Sequence, residues 1–264
     1  MAARPKNAQR SPSNAEVLGL ATQLSPVYAD WLPATLSHVE RGLHTPALIA
    51  HLGRAVAWLE MYETKRAYER FKRLVSFPAA LLGLVLLFPL LVAVAMAVRL
   101  ESRGPIFFRQ LRAGRYGVPF WIFKFRTMPD TPSHHFVARD PLAKPTRGRT
   151  TRVGRILRNY KLDELPQLLN VLRGEMALVG PRPLSLSDSV CVPEAFMARF
   201  AVRPGMTGLW QATVPHDSPA ELKWELDARY VTVRSLRLDI ALIVRTFAVV
   251  WQGERASKWA PPPG

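Results

Sequence analysis

Acidic residues are scarce in this sequence: 20 Asp and Glu stand against 36 Lys and Arg, a net charge of +16. That imbalance implies a polyanionic partner, whether nucleic acid, anionic lipid or a phosphorylated substrate. Cysteine is almost absent. A lone Cys191 excludes an intramolecular disulfide and suits a reducing compartment, with an inert loop thiol as its plain reading. No apolar h-region follows the basic, polar residues 1–13, so no secretory signal is visible and this stretch reads as disordered. Helix-turn-helix, zinc and RNA-binding signatures are also missing, which argues against nucleic acid as the partner. Nor is there an internal repeat. What is present is ample for a core: 48% of the 264 residues are hydrophobic and 21% charged, which excludes a largely disordered chain.

One absence is local. Residues 74–98 contain no charge, a run of 25, long enough to cross a hydrocarbon layer of ~30 Å as a straight helix. Pro89 sits inside it, where a missing N–H and a steric clash break or kink a helix. The halves on either side are each ~15–18 Å long at the helical rise, about half a bilayer. Basic residues flank both ends: Lys72 and Arg73 on one side, Arg99, Arg103, Arg109, Arg112 and Arg115 on the other. The positive-inside rule places both flanks in the cytoplasm. A segment that enters, bends at Pro89 and leaves by the same face satisfies this pattern; a spanning helix with a proline kink is the other reading. The residues alone leave both open.

Before this run, Thr45-Pro46 opens an amphipathic helix with apolar residues Leu48, Ile49, Leu52, Ala55, Val56 and Leu59. After it, residues 106–112 and 119–125 are aromatic and β-branched and flank Gly114-Arg115-Tyr116-Gly117, a hairpin pattern. Residues 129–151 read as a loop; its His134-His135 lacks Cys or Glu at ligand spacing and is a weak metal candidate. Helices are expected over 152–159 and 162–172, the second ended by a C′ glycine at Gly174. A strand over 175–179 leads into the turn Gly180-Pro181-Arg182-Pro183, and Arg203-Pro204-Gly205 makes a second turn of that kind. Residues 221–251 read as one helical stretch, and 260–264 as a disordered tail.

The chemistry centres on Leu162-Asp163-Glu164-Leu165-Pro166. Adjacent carboxylates at a helix start meet unpaired N–H groups and a positive dipole end. They can hold a divalent ion, supply a nucleophile, or act as base and acid. An acidic helix start is ordinarily only a cap. Its company raises it above that: Lys124, Arg126, Arg158, Arg182 in a Pro-Arg-Pro turn, and Arg203 before Pro-Gly. Guanidiniums fixed beside prolines suit bidentate phosphate recognition. Lys161, two residues upstream of Asp163, favours the ionised carboxylate if it folds toward it.

These residues carry a resemblance. Lys72-Arg73 before the apolar run, Gly104-Pro105-Ile106-Phe107-Phe108-Arg109-Gln110, Lys124-Phe125-Arg126-Thr127-Met128, Leu162-Asp163-Glu164-Leu165-Pro166-Gln167-Leu168, Leu178-Val179-Gly180-Pro181-Arg182-Pro183 and Arg203-Pro204-Gly205-Met206-Thr207-Gly208-Leu209-Trp210-Gln211 follow in order. In this the sequence resembles the monotopic phosphoglycosyl transferases, bacterial sugar transferases acting on polyprenyl phosphate. The resemblance runs from about Phe71 to Phe247 and implies transfer of a sugar-1-phosphate from a nucleoside diphosphate sugar, typically a UDP-sugar, to polyprenyl (undecaprenyl) phosphate. It implies Asp163 as the nucleophile of a covalent phosphosugar intermediate and Glu164 as its acid/base or metal-positioning partner. Mg2+ would sit at Asp163 and Glu164, and Lys124, Arg126, Arg158, Arg182 and Arg203 would bind substrate phosphates. It further implies a re-entrant membrane helix broken at Pro89 and a catalytic domain on the cytoplasmic face of the bacterial inner membrane. The reaction would be the first membrane step of lipid-linked glycan assembly.

The chain departs from the family in three places. Phe88 stands where Ser usually precedes the helix-breaking proline, Ser76 where an acidic residue is common, and Lys161 where Ser or Thr is usual. The expected fold is α+β, mostly helical with a short β-hairpin or small sheet. Its expected parts are an N-terminal helical extension (1–70), the membrane helix (71–100), the catalytic domain (101–253) and a disordered tail (254–264). The extension could dock on the domain, lie on lipid or form a homo-oligomer. The competing reading is a membrane-attached scaffold that has lost catalysis, against which the intact Asp163-Glu164 pair argues.

Overall fold

A computed structural model describes residues 66–129, 150–189 and 191–252. The expected helix at 46–62, the expected disordered ends and His134-His135 fall outside these residues. The described part is mostly helical with two small two-stranded sheets, as expected.

Helix α1, Arg66–Glu101, is long and apolar enough to cross a membrane by length and composition. Its inward stripe recurs at helical spacing. Ala80, Leu84 and Leu87 meet Phe120, Ile122, Leu168 and Val171; Leu91, Val94, Ala95 and Val98 meet Phe125 and Leu157. The opposite side leaves Leu74, Leu82, Val85, Leu86 and Phe88 exposed. The expected break at Pro89 does not occur: one helix runs through both Pro78 and Pro89. Packing on both sides of Pro89 explains this. Burying Val94 and Val98 contributes about 1.5–3 kcal/mol each, enough to offset the ~3 kcal/mol an interior proline costs.

Strands β1 (Phe107–Ala113) and β2 (Pro119–Phe125) form the expected antiparallel hairpin, with Phe107 opposite Phe125 and Arg112 opposite Phe120. Its turn holds Tyr116 at φ 60. Helix α2, Arg152–Asn159, spans the residues expected of it, and the Thr151 side chain accepts from Gly154 N at its start. The segment expected as one helix over 162–172 divides. Leu162–Gln167 is a 3-10 helix, and α3 covers only Leu168–Leu172. Lys161 in the left-handed region (φ 54) and Pro166 inside the segment account for the tighter winding. Gly174, at φ +76, ends α3 as a C′ glycine does.

Strand β3 (Ala177–Val179) pairs in parallel with β4 (Gly205–Thr207). Between them lie α4 (Leu186–Ser189) and a 3-10 segment, Glu194–Ala201. A short helix α5 (Leu209–Thr213) follows β4. The stretch expected as one helix over 221–251 is two, α6 (Ala220–Val233) and α7 (Leu236–Gln252). Arg234 separates them with an extended backbone (ψ 131), and its buried guanidinium donates to Glu69 on α1 at 3.0 Å. Alongside, Lys72 donates to Tyr230 and pairs with Asp239 at 2.9 Å, and Tyr68 donates to Asp239 at 2.7 Å. These buried contacts tie the start of α1 to α6 and α7.

Candidate active site

Asp163 is buried, 7% exposed, on the 3-10 helix beneath β2. Burial raises its carboxyl above the ordinary value; Lys124 pulls it back most, Glu164 pushes it up again, and Arg158 and Lys161 also lower it. No hydrogen bond to a described residue engages this carboxylate. It is a buried carboxyl without such a bond, held among cations. The expected helix dipole does not supply this setting, because the segment is a short 3-10 turn rather than the start of an α-helix.

Glu164 is placed differently. Lys124 Nζ and Arg182 Nη2 each donate to its Oε1 at 2.6 Å, and Arg182 Nη1 reaches Oε2 at 3.4 Å. Burial alone would raise Glu164, but Arg182 and then Lys124 outweigh it and hold the carboxyl well below the usual range. Lys124 itself is lowered by burial despite Glu164. Glu164 in turn raises Arg182.

The strands and turns bring these groups together. Phe108, Gln110 and Arg112 share one face of the hairpin with Lys124, because partners across the register share a face and alternate residues follow it. Arg182 is set by the close approach of Gly180 and Gly205. Gly180 N donates to Thr207 O at 2.8 Å, and a Cβ on Gly205 would lie 2.1 Å from Gly180 N. The turn is held further by Arg199, which donates to the Arg182 carbonyl at 2.8 Å and pairs with buried Asp227 at 2.6 Å. Arg158 reaches from α2, where Nε donates to Thr127 Oγ1 at 2.9 Å.

Five of the seven residues expected at the site therefore meet: Asp163, Glu164, Lys124, Arg158 and Arg182. Arg126 and Arg203 lie elsewhere. Arg126 is buried at the end of α1, where Nη2 donates to the Ser102 carbonyl (2.6 Å), Ser102 Oγ (2.9 Å) and the Val98 carbonyl (3.4 Å). It satisfies the last carbonyls of that helix. Arg203 donates to the Gly174 carbonyl at 2.9 Å and lies beside Glu69, Lys72 and Arg73 at the other end of α1.

The expectation overlooked three residues near the dyad. Arg112 stands behind Glu164 and Arg182, donating to Gln110 Oε1 (2.6 Å) and the Pro183 carbonyl (3.2 Å); burial and Arg182 lower it to about 10. Trp210 lies 6.0 Å from the Arg182 guanidinium. His216 sits edge-on to Trp210 at 6.0 Å. Burial lowers the imidazole, with Arg182, Lys161 and Lys223 adding to the effect. Arg112 was signalled by the hairpin pattern, since alternation puts it on the face of Lys124. The Trp210–His216 contact joins α5 to the turn that follows it, and no helical or strand periodicity announces it.

A cleft of about 470 Å³ opens beside the dyad. Its lining combines charged and polar side chains, Lys161, Glu164, Arg182 and His216 among them, with the aliphatic Met206, Val214, Val249 and Val250. Among the described residues no group of three His, Cys, Asp or Glu could hold a metal. Four cations (Lys124, Arg158, Lys161, Arg182) act on two carboxylates. That surplus suits phosphate oxygens.

The sequence matches the family described as "Bacterial sugar transferase" over residues 67–253. The chain belongs to this family. It is a sugar transferase, an enzyme of the phosphoglycosyl transferase kind. A relative from Caulobacter vibrioides, named UDP-glucose:undecaprenyl-phosphate glucose-1-phosphate transferase, is 43% identical over 66% of this chain and 67% of its own length. The sugar transferase EpsL of Bacillus subtilis is 38% identical over 69% of this chain and 88% of its own length. A Klebsiella pneumoniae protein with the same name as the Caulobacter relative is 37% identical, but the matched region covers only 40% of its length.

Proposed function

We propose that this sugar transferase moves a sugar-1-phosphate from a nucleoside diphosphate sugar, a UDP-sugar, to undecaprenyl phosphate. The relatives' names support the donor and acceptor classes. The observation that carries the chemistry is the contrast within the pair: Asp163 has no hydrogen-bond partner among the described residues, while Glu164 is locked by two cations. An Asp163 carboxylate oxygen attacks the sugar-bearing phosphorus. The bond from that phosphorus to the bridging oxygen breaks, and nucleoside monophosphate leaves with the electron pair. An oxygen of the acceptor phosphate then attacks the same phosphorus. The bond to Asp163 breaks, giving polyprenyl diphosphate sugar and the free carboxylate.

Lys124 and Arg182, aligned by Glu164, are placed to offset phosphate charge as the bonds change, and Arg158 adds to this from α2. A Mg2+ ion fits this site in part. Such ions take one or two carboxylates and complete their shell with water and substrate phosphates. Asp163 has free oxygens to offer, whereas Glu164 would first have to give up Lys124 or Arg182. When bound, the ion would neutralise phosphate charge.

The placement of α1 supports a membrane-surface enzyme. Lys72 near one end and Val98 near the other both pack on the same globular body, which keeps both flanks on one face of the membrane if α1 bends at Pro89 without interrupting the helix. The catalytic region then faces the cytoplasm of the bacterial inner membrane and performs the first membrane step of lipid-linked glycan assembly.

The test is mass spectrometry of the full chain incubated with UDP-glucose and Mg2+ but no acceptor. A hexose phosphate adduct on the peptide holding Asp163 is expected, chased by undecaprenyl phosphate. Asp163→Asn should form no adduct and release no UMP. Unimpaired UMP release by that variant would refute the assignment.

A further inference from the structure

The cleft beside the dyad is amphiphilic, and α7, which contributes Val249 and Val250 to it, also carries an exposed apolar face. Along α7, Leu236, Ile240, Val244 and Phe247 recur at helical spacing and form one outward stripe. Exposure rises along it, from 43% at Leu236 to 73% at Phe247, so the stripe is barest nearest the cleft. At 3.6 residues per turn, Thr246 and Val250 lie on the same flank of that stripe, and both line the cleft. At its other end, Leu236 and Ile240 share a groove with Phe71 and Val75 of α1. Val250 lies three residues beyond Phe247, so the exposed face of α7 reaches the cleft at one end, and the groove of Leu236 and Ile240 reaches α1 at the other.

We infer that α7 is the track for the isoprenoid tail of the lipid phosphate acceptor. This rests on the reading of the cleft as the transfer site. The acceptor joins one anionic head to one long hydrocarbon tail. The cleft is lined by the cations Lys161 and Arg182 and by the aliphatic Met206, Val249 and Val250. With the phosphate against Lys161 and Arg182, the first isoprene units lie on Met206, Val249 and Val250. Later units follow Val244 and Phe247 toward the apolar surface of α1. A soluble nucleotide sugar has no group that requires this outer face, so acceptor and donor make separable demands on it.

The test uses the full chain in detergent micelles, where membrane attachment does not limit the rate. UMP release from UDP-glucose is followed with undecaprenyl phosphate and with short-chain geranyl phosphate. In Val244→Asp the KM for undecaprenyl phosphate should rise about tenfold, the loss expected when apolar contact is replaced by a charge. Geranyl phosphate and the donor should keep their KM values. In Val250→Asp both acceptors should weaken while the donor KM stays constant. A parallel rise in donor KM would assign the aliphatic lining to the donor and overturn the proposal. So would unchanged acceptor KM values with altered particle size, which would assign the stripe to a second copy of the chain. Photolabelling with a benzophenone-bearing geranyl phosphate needs no turnover. Adducts on residues 244–250 are expected, and adducts confined to α1 would refute the track. Wild-type protein that releases no UMP under any condition, yet is labelled on α7, would instead defeat the reading of the reaction.

Discussion

Single residues divide here into those facing the reaction and those holding something in place, and two arginines with similar sequence settings separate the roles. Arg158 acts on Asp163, whereas Arg126 closes the end of α1. Arg158→Ala should cut turnover at least tenfold with little change in melting temperature. Arg126→Ala should lower the melting temperature, since its bonds to the Ser102 carbonyl and hydroxyl at the end of α1 are lost, without changing substrate KM values. Thermal melts beside steady-state kinetics check both. Asp227 adds a pH signature. Burial raises its carboxyl from an ordinary 3.8 to about 6, against the pull of Arg199. The folded protein therefore keeps this proton where the unfolded chain releases it, and the group's contribution to stability falls as pH rises between those values. Asp227→Asn should remove that fall from the stability-pH profile.

At the scale of elements, what was legible in the sequence was whatever short-range pattern decides. The aromatic, β-branched runs 106–112 and 119–125 around Gly114-Arg115-Tyr116-Gly117 announced the hairpin, and the helix read over 152–159 is α2. The 162–172 segment was misjudged because Lys161 enters a left-handed conformation that no periodicity announces. The long C-terminal helix was misjudged for a tertiary reason: Arg234 leaves helical geometry where its guanidinium meets Glu69, far away in sequence. The same limit explains Arg203. An arginine beside proline is held stiffly, but which neighbour it meets depends on the pairing of β3 with β4, and that pairing turns it toward α1. Stiffness was readable and direction was not. The parallel pairing is also fragile at one point. Gly205→Ala places a methyl against the Gly180 backbone, so it should displace Arg182 and lower activity more than stability.

The whole molecule poses the question of sides. Both ends of α1 pack on one body, and basic residues flank it at Arg70 and Arg73 as well as at Arg99 and Arg103. Single cysteines at Arg70 and Arg103, in a chain whose exposed Cys191 is replaced by serine, should react with an impermeant thiol reagent from the same side of inverted membrane vesicles. Labelling from opposite sides would establish a spanning helix and refute the re-entrant topology. The charge of +16 further predicts that binding to anionic vesicles weakens as salt rises, which flotation assays measure.

The contacts that fasten α1 to the last two helices have a consequence for how the chain is made. Tyr230 lies 158 residues beyond Lys72, and Arg234 lies 165 beyond Glu69. At about 5–20 residues per second, a ribosome needs on the order of ten to thirty seconds to deliver these partners after α1 has emerged. Throughout that interval the face with Leu74, Leu82, Val85, Leu86 and Phe88 has no protein cover, and Lys72 and Glu69 lack the partners they keep in the finished fold. Lipid is the solvent able to cover that surface while translation continues. Targeting to the bilayer should therefore come first, with the catalytic body assembling afterwards around a helix already in place.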